Sequence, residues 1–216
     1  MGPERARKVK PNDEVGTVRP HLSRVSRGAL EWWSCGVMEE RAAMSQYSDT
    51  PALPFPKIVT LGVYGFDETG FFAALRQAGV DTFCDIRFRR GVRGREYAFV
   101  NSKRLQARLA ELGIRYLHFK ELAPSRALRD RQTTADTAAR TTKRKRTELS
   151  ELFIAGYREE CLRAFDSRKF IEQLGDRARV VALFCVERAP AACHRSLVAE
   201  RLQRDLGLEV VHPTPG

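Results

Sequence analysis

Within residues 185–195 stand two cysteines, a glutamate, a histidine and two arginines, and of these Cys185, Glu187, Cys193, His194 and Arg195 are the types and spacing that could do chemistry. Cys193 falls where a helix would begin and beside a cation, a setting that lowers a thiol's pKa and enriches the thiolate. It is a candidate nucleophile, and equally a small core residue that opens the stripe continued by Leu197. Glu187, with Asp85 and His118 from earlier in the chain, offers a general acid or base. Arg195 and Arg87, with the N–H groups of a helix's first turn, offer a phosphate or carboxylate site. The other reading of these arginines is that they pair with Asp85 or Glu187 as internal struts.

Cys185, Cys193, His194 and His118 are also residue types that ligate zinc. On one helix, adjacent Cys193 and His194 would point about 100° apart, and no Cys-x-x-Cys pair supports a metal centre. No metal is therefore expected. Neither cysteine starts a Cys-x5-Arg loop of the kind used around phosphate or sulfur, and the turn at Gly62 lacks a Gly-x-Gly-x-x-Gly fingerprint. No cofactor is expected either.

These side chains need elements that bring them together. Val180–Val186 is an apolar run bounded by Arg179 and Glu187, the pattern of a parallel strand covered on both faces. Pro190 has the φ suited to a helix's first turn; Leu197, Val198, Leu202 and Leu206 follow at helical spacing, and Gly207 ends the helix. Upstream, 58–64 reads as a strand ending in a glycine-bearing turn, and Phe71, Phe72 and Leu75 share one face of a helix that stops at Gly79. Residues 80–87 form a second strand, and 114–119 a third. Between them Asn101 caps a helix carrying Leu105, Leu109 and Leu112, closed by Gly113. After a long polar connection, 122–150, whose Ala-rich portions read as helical, come a helix from Glu151 to Phe165, a short one capped by Asp166, and a last strand near 208–212. This alternation predicts an α/β fold with a parallel, doubly wound sheet of about five strands. The candidate residues then fall at strand carboxyl ends: Gly62 and Tyr64, Asp85 and Arg87, His118 and Glu121, Cys185 and Glu187. That edge is where open α/β sheets bind ligands.

At 216 residues and 43% apolar, the chain can bury one good core. The net charge is +11, and residues 1–56 hold eight Lys/Arg against seven Asp/Glu, so nearly all the excess belongs to 57–216. Such a surface attracts polyanions, nucleic acid and nucleotides foremost, or simply serves solubility. Residues 87–95 are a basic loop; with Phe88, Tyr97 and Phe99 it mixes cations for phosphates with aromatics for bases. The alternative is that these aromatics turn inward. The connection 122–150, with the run Lys143-Arg144-Lys145-Arg146, is a basic insertion placed to close over the same edge.

Residues 1–56 read as a tail with scattered charge and no sustained period. Met44 is a candidate start, and Trp32-Trp33 a candidate docking motif. No run of roughly 18 apolar residues is present and the first residues lack a signal peptide's apolar core. A soluble, cytoplasmic protein without a membrane partner is expected. Of the five cysteines, Cys84 and Cys161 read as core and Cys35 as a tail residue; a reducing compartment favours free thiols over disulfides.

Four motifs in order resemble the domain of unknown function 488 family. They are Thr60-Leu61-Gly62, Asp85-Ile86-Arg87, Tyr116-x-His118 ahead of Glu121-Leu122, and Cys185-x-Glu187 with Cys193-His194-Arg195. The resemblance covers about residues 58–212 and implies a Rossmann-like three-layer sandwich; it implies no reaction. Tyr64 stands where the family commonly has Ser, Arg89 where it often has Pro, and Ala123-Pro124 where it has Gly-Gly. These departures describe a subgroup with a more basic pocket rim.

The functional expectation is a domain acting on or binding nucleic acid or a phosphorylated nucleotide at that rim. Asp85, Glu187, His118 and Cys193 are the candidate catalytic residues. Gly62, Tyr64, Arg87, Glu121, Cys185, His194 and Arg195 are the candidate substrate-binding residues. Cofactor-independent hydrolytic or glycosidic cleavage suits the carboxylates. The alternatives are a non-catalytic module with a structural ion network, and a thiol-dependent enzyme on a small anionic substrate.

Overall fold

Strand and helix alternate along the chain as β1 (Lys57–Gly62), α1 (Glu68–Gln77), β2 (Thr82–Asp85), α2 (Ser102–Glu111), β3 (Arg115–His118), α3 (Arg126–Ala138), α4 (Glu151–Tyr157), α5 (Ser167–Leu174), β4 (Val180–Cys185), α6 (His194–Leu206) and β5 (Val210–Val211). The computed structural model describes residues 55–215. The expectations for the tail, Met44, Trp32-Trp33 and Cys35 lie outside the described residues.

All five strands are parallel, in the order β3-β2-β4-β1-β5. Side chains of a strand alternate between faces. Along β4, Phe184 packs against Phe71 of α1 on one face, while Cys185 meets His194 of α6 on the other. Helices thus cover both faces of a buried parallel sheet, a Rossmann-like α/β sandwich. The chain steps from β2 outward to β3 and later from β4 across β1 to β5, so the winding reverses between β2 and β4. No helix among the described residues is long and apolar enough to cross a membrane.

Local chemistry sets the element ends. Asp67 caps α1 by accepting from Gly70 N at 2.7 Å, Ser125 caps α3, Ser150 caps α4, and Asp166 caps α5 through two backbone N–H groups. Gly207 takes a left-handed conformation, φ 68°, and closes α6.

Three local expectations need correction. Pro190 starts a separate 3-10 turn, Pro190–Ala192, and α6 begins only at His194, because Cys193 stays extended. Asn101 precedes α2 but its side chain makes no cap bond; it accepts instead from Val92 N at 2.6 Å and ties down the basic loop. The helix from Glu151 to Phe165 is α-helical only to Tyr157 and widens into a π turn, Arg158–Leu162. The alanine-bearing part of the polar connection is helical, as its sequence reads, and forms the thirteen-residue helix α3.

Candidate functional site

The register levels the carboxyl ends of the inner strands. Gly62 lies opposite Cys185, Asp85 opposite Phe184, and Asp85 opposite His118. The loop leaving β4 and the start of α6 then fold over this edge and bury Cys185, Glu187, Cys193 and His194.

His194 Nδ1 stands 3.9 Å from the sulfur of Cys185 and 3.9 Å from that of Cys193. Its other nitrogen, Nε2, is 3.2 Å from the Ile86 carbonyl oxygen, which only an N–H can satisfy. The two thiols titrate in opposite directions. Burial, then the neighbouring Cys193 sulfur, push the Cys185 thiol well above its ordinary value. Burial also acts against ionisation of Cys193, but the neighbouring Cys185 thiol and the charges of Arg195 and His194 prevail and hold it well below. The imidazole of His194 is raised: burial opposes the charge, and the Cys193 thiolate favours it more. Glu187 Oε2 lies 3.2 Å from Cys185 Sγ, and its Oε1 meets Arg146 at 3.2 Å and Lys143 at 3.3 Å.

Beneath this floor run two arginine struts. Arg87 forms a two-pronged pair with Asp85, at 2.8 and 2.7 Å, donates to the Val100 carbonyl and lies over the Phe184 ring. Asp85 also accepts from Arg87 N and from the Tyr116 hydroxyl, so both oxygens of a fully buried carboxylate are occupied. Arg195, likewise fully buried, donates to the carbonyls of Glu187 at 2.7 Å and Arg188 at 2.9 Å. These bonds hold the turn that presents Glu187.

Above the floor opens a cavity of about 680 Å³. Its cations are Arg87, Arg89, Arg93, Arg129, Lys143, Arg144 and Arg146, against two carboxylates, Asp136 and Glu187. Both carboxylates are already paired with Arg146, whose side chain is 8% exposed. Arg146 also donates to the Ala192 carbonyl, fastening the 122–150 segment to the turn before α6. Arg144 lies over the rings of Tyr64 and Tyr97 and pairs with Glu96, fastening the same segment to the opposite wall.

Of the sequence candidates, Tyr64, Arg87, Cys185, Glu187, Cys193 and His194 line this cavity. Gly62, Asp85, His118, Glu121 and Arg195 do not: His118 Nε2 contacts the Arg87 carbonyl at 2.9 Å, and Glu121 is exposed on the 3-10 turn Lys120–Leu122. Of the loop aromatics, Phe99 is buried and Tyr97 packs on Tyr64; Phe88 is exposed, with Lys120 and Arg129 over its ring. The geometric objection to a metal is overturned. Cys193 has φ −141° and ψ 140°, ahead of α6, so it does not follow helical spacing, and the ligand atoms of Cys185, Cys193 and His194 all lie within 4.8 Å of one another. Lys143, Arg144 and Arg146 stand out in the sequence only as part of a basic run in the insertion, not as site residues, and Asp136 not at all; a charge run ordinarily marks a solvated face.

Fold and site together define a Rossmann-like α/β protein with a thiol–imidazole cluster at the switch of its parallel sheet. Residues 69–202 match the model of a family described as Domain of unknown function DUF488, and the chain belongs to that family. Comparison with the curated proteins finds no match, and comparison with solved structures finds none either.

Proposed function

We propose that the protein is an enzyme that takes a phosphorylated small molecule of nucleotide size into the cavity and reacts it at the Cys185–Cys193–His194–Glu187 floor. The observation that carries this is the charge imbalance around a half-open cavity. Seven cations line it against two carboxylates; Arg87 and Arg144 are paired with Asp85 and Glu96 behind the lining, and Lys143 and Arg146 with the lining carboxylates, which leaves Arg89, Arg93 and Arg129 without a carboxylate partner among the described residues. About 680 Å³ lies within the usual range for small-molecule sites. Arginine forks suit phosphate oxygens. A single nucleotide fits this reading better than a long strand. Phe99 is buried and Tyr97 is packed, which removes two of the three aromatics that a base-stacking groove would use.

The test is a binding titration of the full chain with nucleoside monophosphates and diphosphates, the parent nucleosides, and DNA and RNA oligonucleotides, over a salt series. Nucleotides should bind with a shallow salt dependence, and nucleosides should not bind. Affinity that grows with oligonucleotide length and collapses with salt would replace the cavity with a general polyanion surface.

A further inference from the structure

The geometry points to Cys185, Cys193 and His194 as a zinc site with three protein ligands and a fourth position open to the cavity. In tetrahedral zinc sites Zn–S is about 2.3 Å and Zn–N about 2.0–2.1 Å, which sets a sulfur and a nitrogen ligand about 3.5–3.6 Å apart. Here both sulfur–nitrogen separations are 3.9 Å, and all three ligand atoms lie within 4.8 Å of one another. The sulfur–nitrogen pairs need shifts of a few tenths of an ångström, and the two sulfurs must come to about 3.8 Å of one another.

Three further features fit an ion. The nitrogen facing the sulfurs is Nδ1, while Nε2–H is anchored on the Ile86 carbonyl, the outer-shell bond that orients most metal-bound histidines. Two sulfurs and one imidazole select zinc over magnesium or calcium, which take oxygen ligands. All three residues line the cavity, so the remaining position faces the cations. A site with one open position is the catalytic type, where bound water gives up a proton readily. Glu187 Oε2, 3.2 Å from Cys185 Sγ and in the cavity lining, would be a carboxylate available to take up such a proton. The site stands apart from the phosphate reading, because metal content is measured without any substrate.

Purified full-length chain, stripped with a chelator and reloaded with Zn²⁺, should hold one zinc per chain after dialysis. Cys185→Ser, Cys193→Ser and His194→Gln should each lose zinc to a chromophoric competitor at least about tenfold more readily, while Cys161→Ser should behave as wild type. Because these positions are buried, the wild-type chain loaded with Co²⁺ supplies a reading that needs no variant. Visible bands of a tetrahedral thiolate–imidazole site, perturbed by azide at the open position, are expected. Substoichiometric zinc in a folded chain, an octahedral cobalt spectrum, or zinc retained when the three side chains are removed would each overturn the assignment. Nucleotide binding measured in the stripped and the loaded protein reports separately on the cavity.

Discussion

A β-carbon on Gly62 would stand 1.7 Å from the carbonyl oxygen of Glu187. The carbonyl is held there by Arg195 Nη1 at 2.7 Å, and the same hypothetical carbon would lie 3.0 Å from that Nη1. The glycine serves close approach of two backbones, which lets the turn after β4 settle over β1 and turn the Glu187 carboxylate toward the thiols.

Gly62→Ala is therefore expected to force the Glu187 turn outward. Overpacking of a closed core costs about 1–3 kcal/mol, and here backbone rather than a side chain must yield, so a loss near about 3 kcal/mol is expected. Urea denaturation measures it. Unchanged stability would mean the turn relaxes freely and the contact is not needed for its position.

Asp85→Asn should destabilise the fold and not merely slow a reaction. The variant leaves the buried Arg87 guanidinium without its counter-charge, and breaking a buried pair by removing one partner costs about 3–5 kcal/mol. Replacing both partners, Asp85→Asn with Arg87→Met, should recover part of that loss, since an apolar substitute carries no stranded charge. A double-mutant cycle in denaturant measures the coupling. A single variant as stable as wild type would return Asp85 to the list of candidate acids and bases.

The legible part of this chain followed from local periodicity and chain order. The apolar run 180–186, the helical stripe from Leu197 to Leu206 and the glycines that follow α1, α2, α5 and α6 give the alternation, and alternation gives a parallel sheet. Placement at strand ends then brought Tyr64, Arg87, Cys185, Glu187, Cys193 and His194 to one cavity. What stayed hidden depends on backbone angles and long-range pairing. The extended conformation of Cys193 decides whether its sulfur can meet His194 Nδ1, and nothing in Ala191-Ala192-Cys193-His194 encodes it. Arg146 sits in a basic run whose members look alike, yet it alone of that run is paired with both Asp136 and Glu187. Its partners are ten and forty-one residues away, beyond any local pattern.

Protonation of His212 should weaken the fold in mild acid. Its Nδ1 is 2.6 Å from the hydroxyl of Thr60 in β1, and burial together with the Arg195 charge holds the imidazole below its ordinary value, against a smaller opposing effect of Glu200. With the folded value depressed, the unfolded chain binds more protons in the interval between the two values. The contribution is whole above the unfolded value of about 6.5 and is lost as pH falls through the folded one. His194 runs the opposite way, being raised, but it is common to wild type and to His212→Asn, so the comparison removes it. Wild type should lose more stability than His212→Asn between about pH 7.5 and about pH 5. Equal losses would show that His212 titrates alike in both states.

The cavity's cations give the most direct mutational reading of ligand charge. Arg89 and Arg93 line the cavity and are exposed, so replacing either by Ala leaves the buried pairs of Arg87 and Arg146 untouched. A hydrogen bond to a charged partner is worth about 1.5–3 kcal/mol, which corresponds to about tenfold or more in affinity for each arginine that reaches a phosphate. Arg126→Ala, on an exposed residue outside the cavity lining, changes net charge equally and serves as the control. Nucleotide affinity measured by calorimetry should fall for the cavity variants and hold for Arg126→Ala. Equal losses in all three would show that overall charge, not the cavity, attracts the ligand, because a long-range field weakens alike wherever a cation is removed.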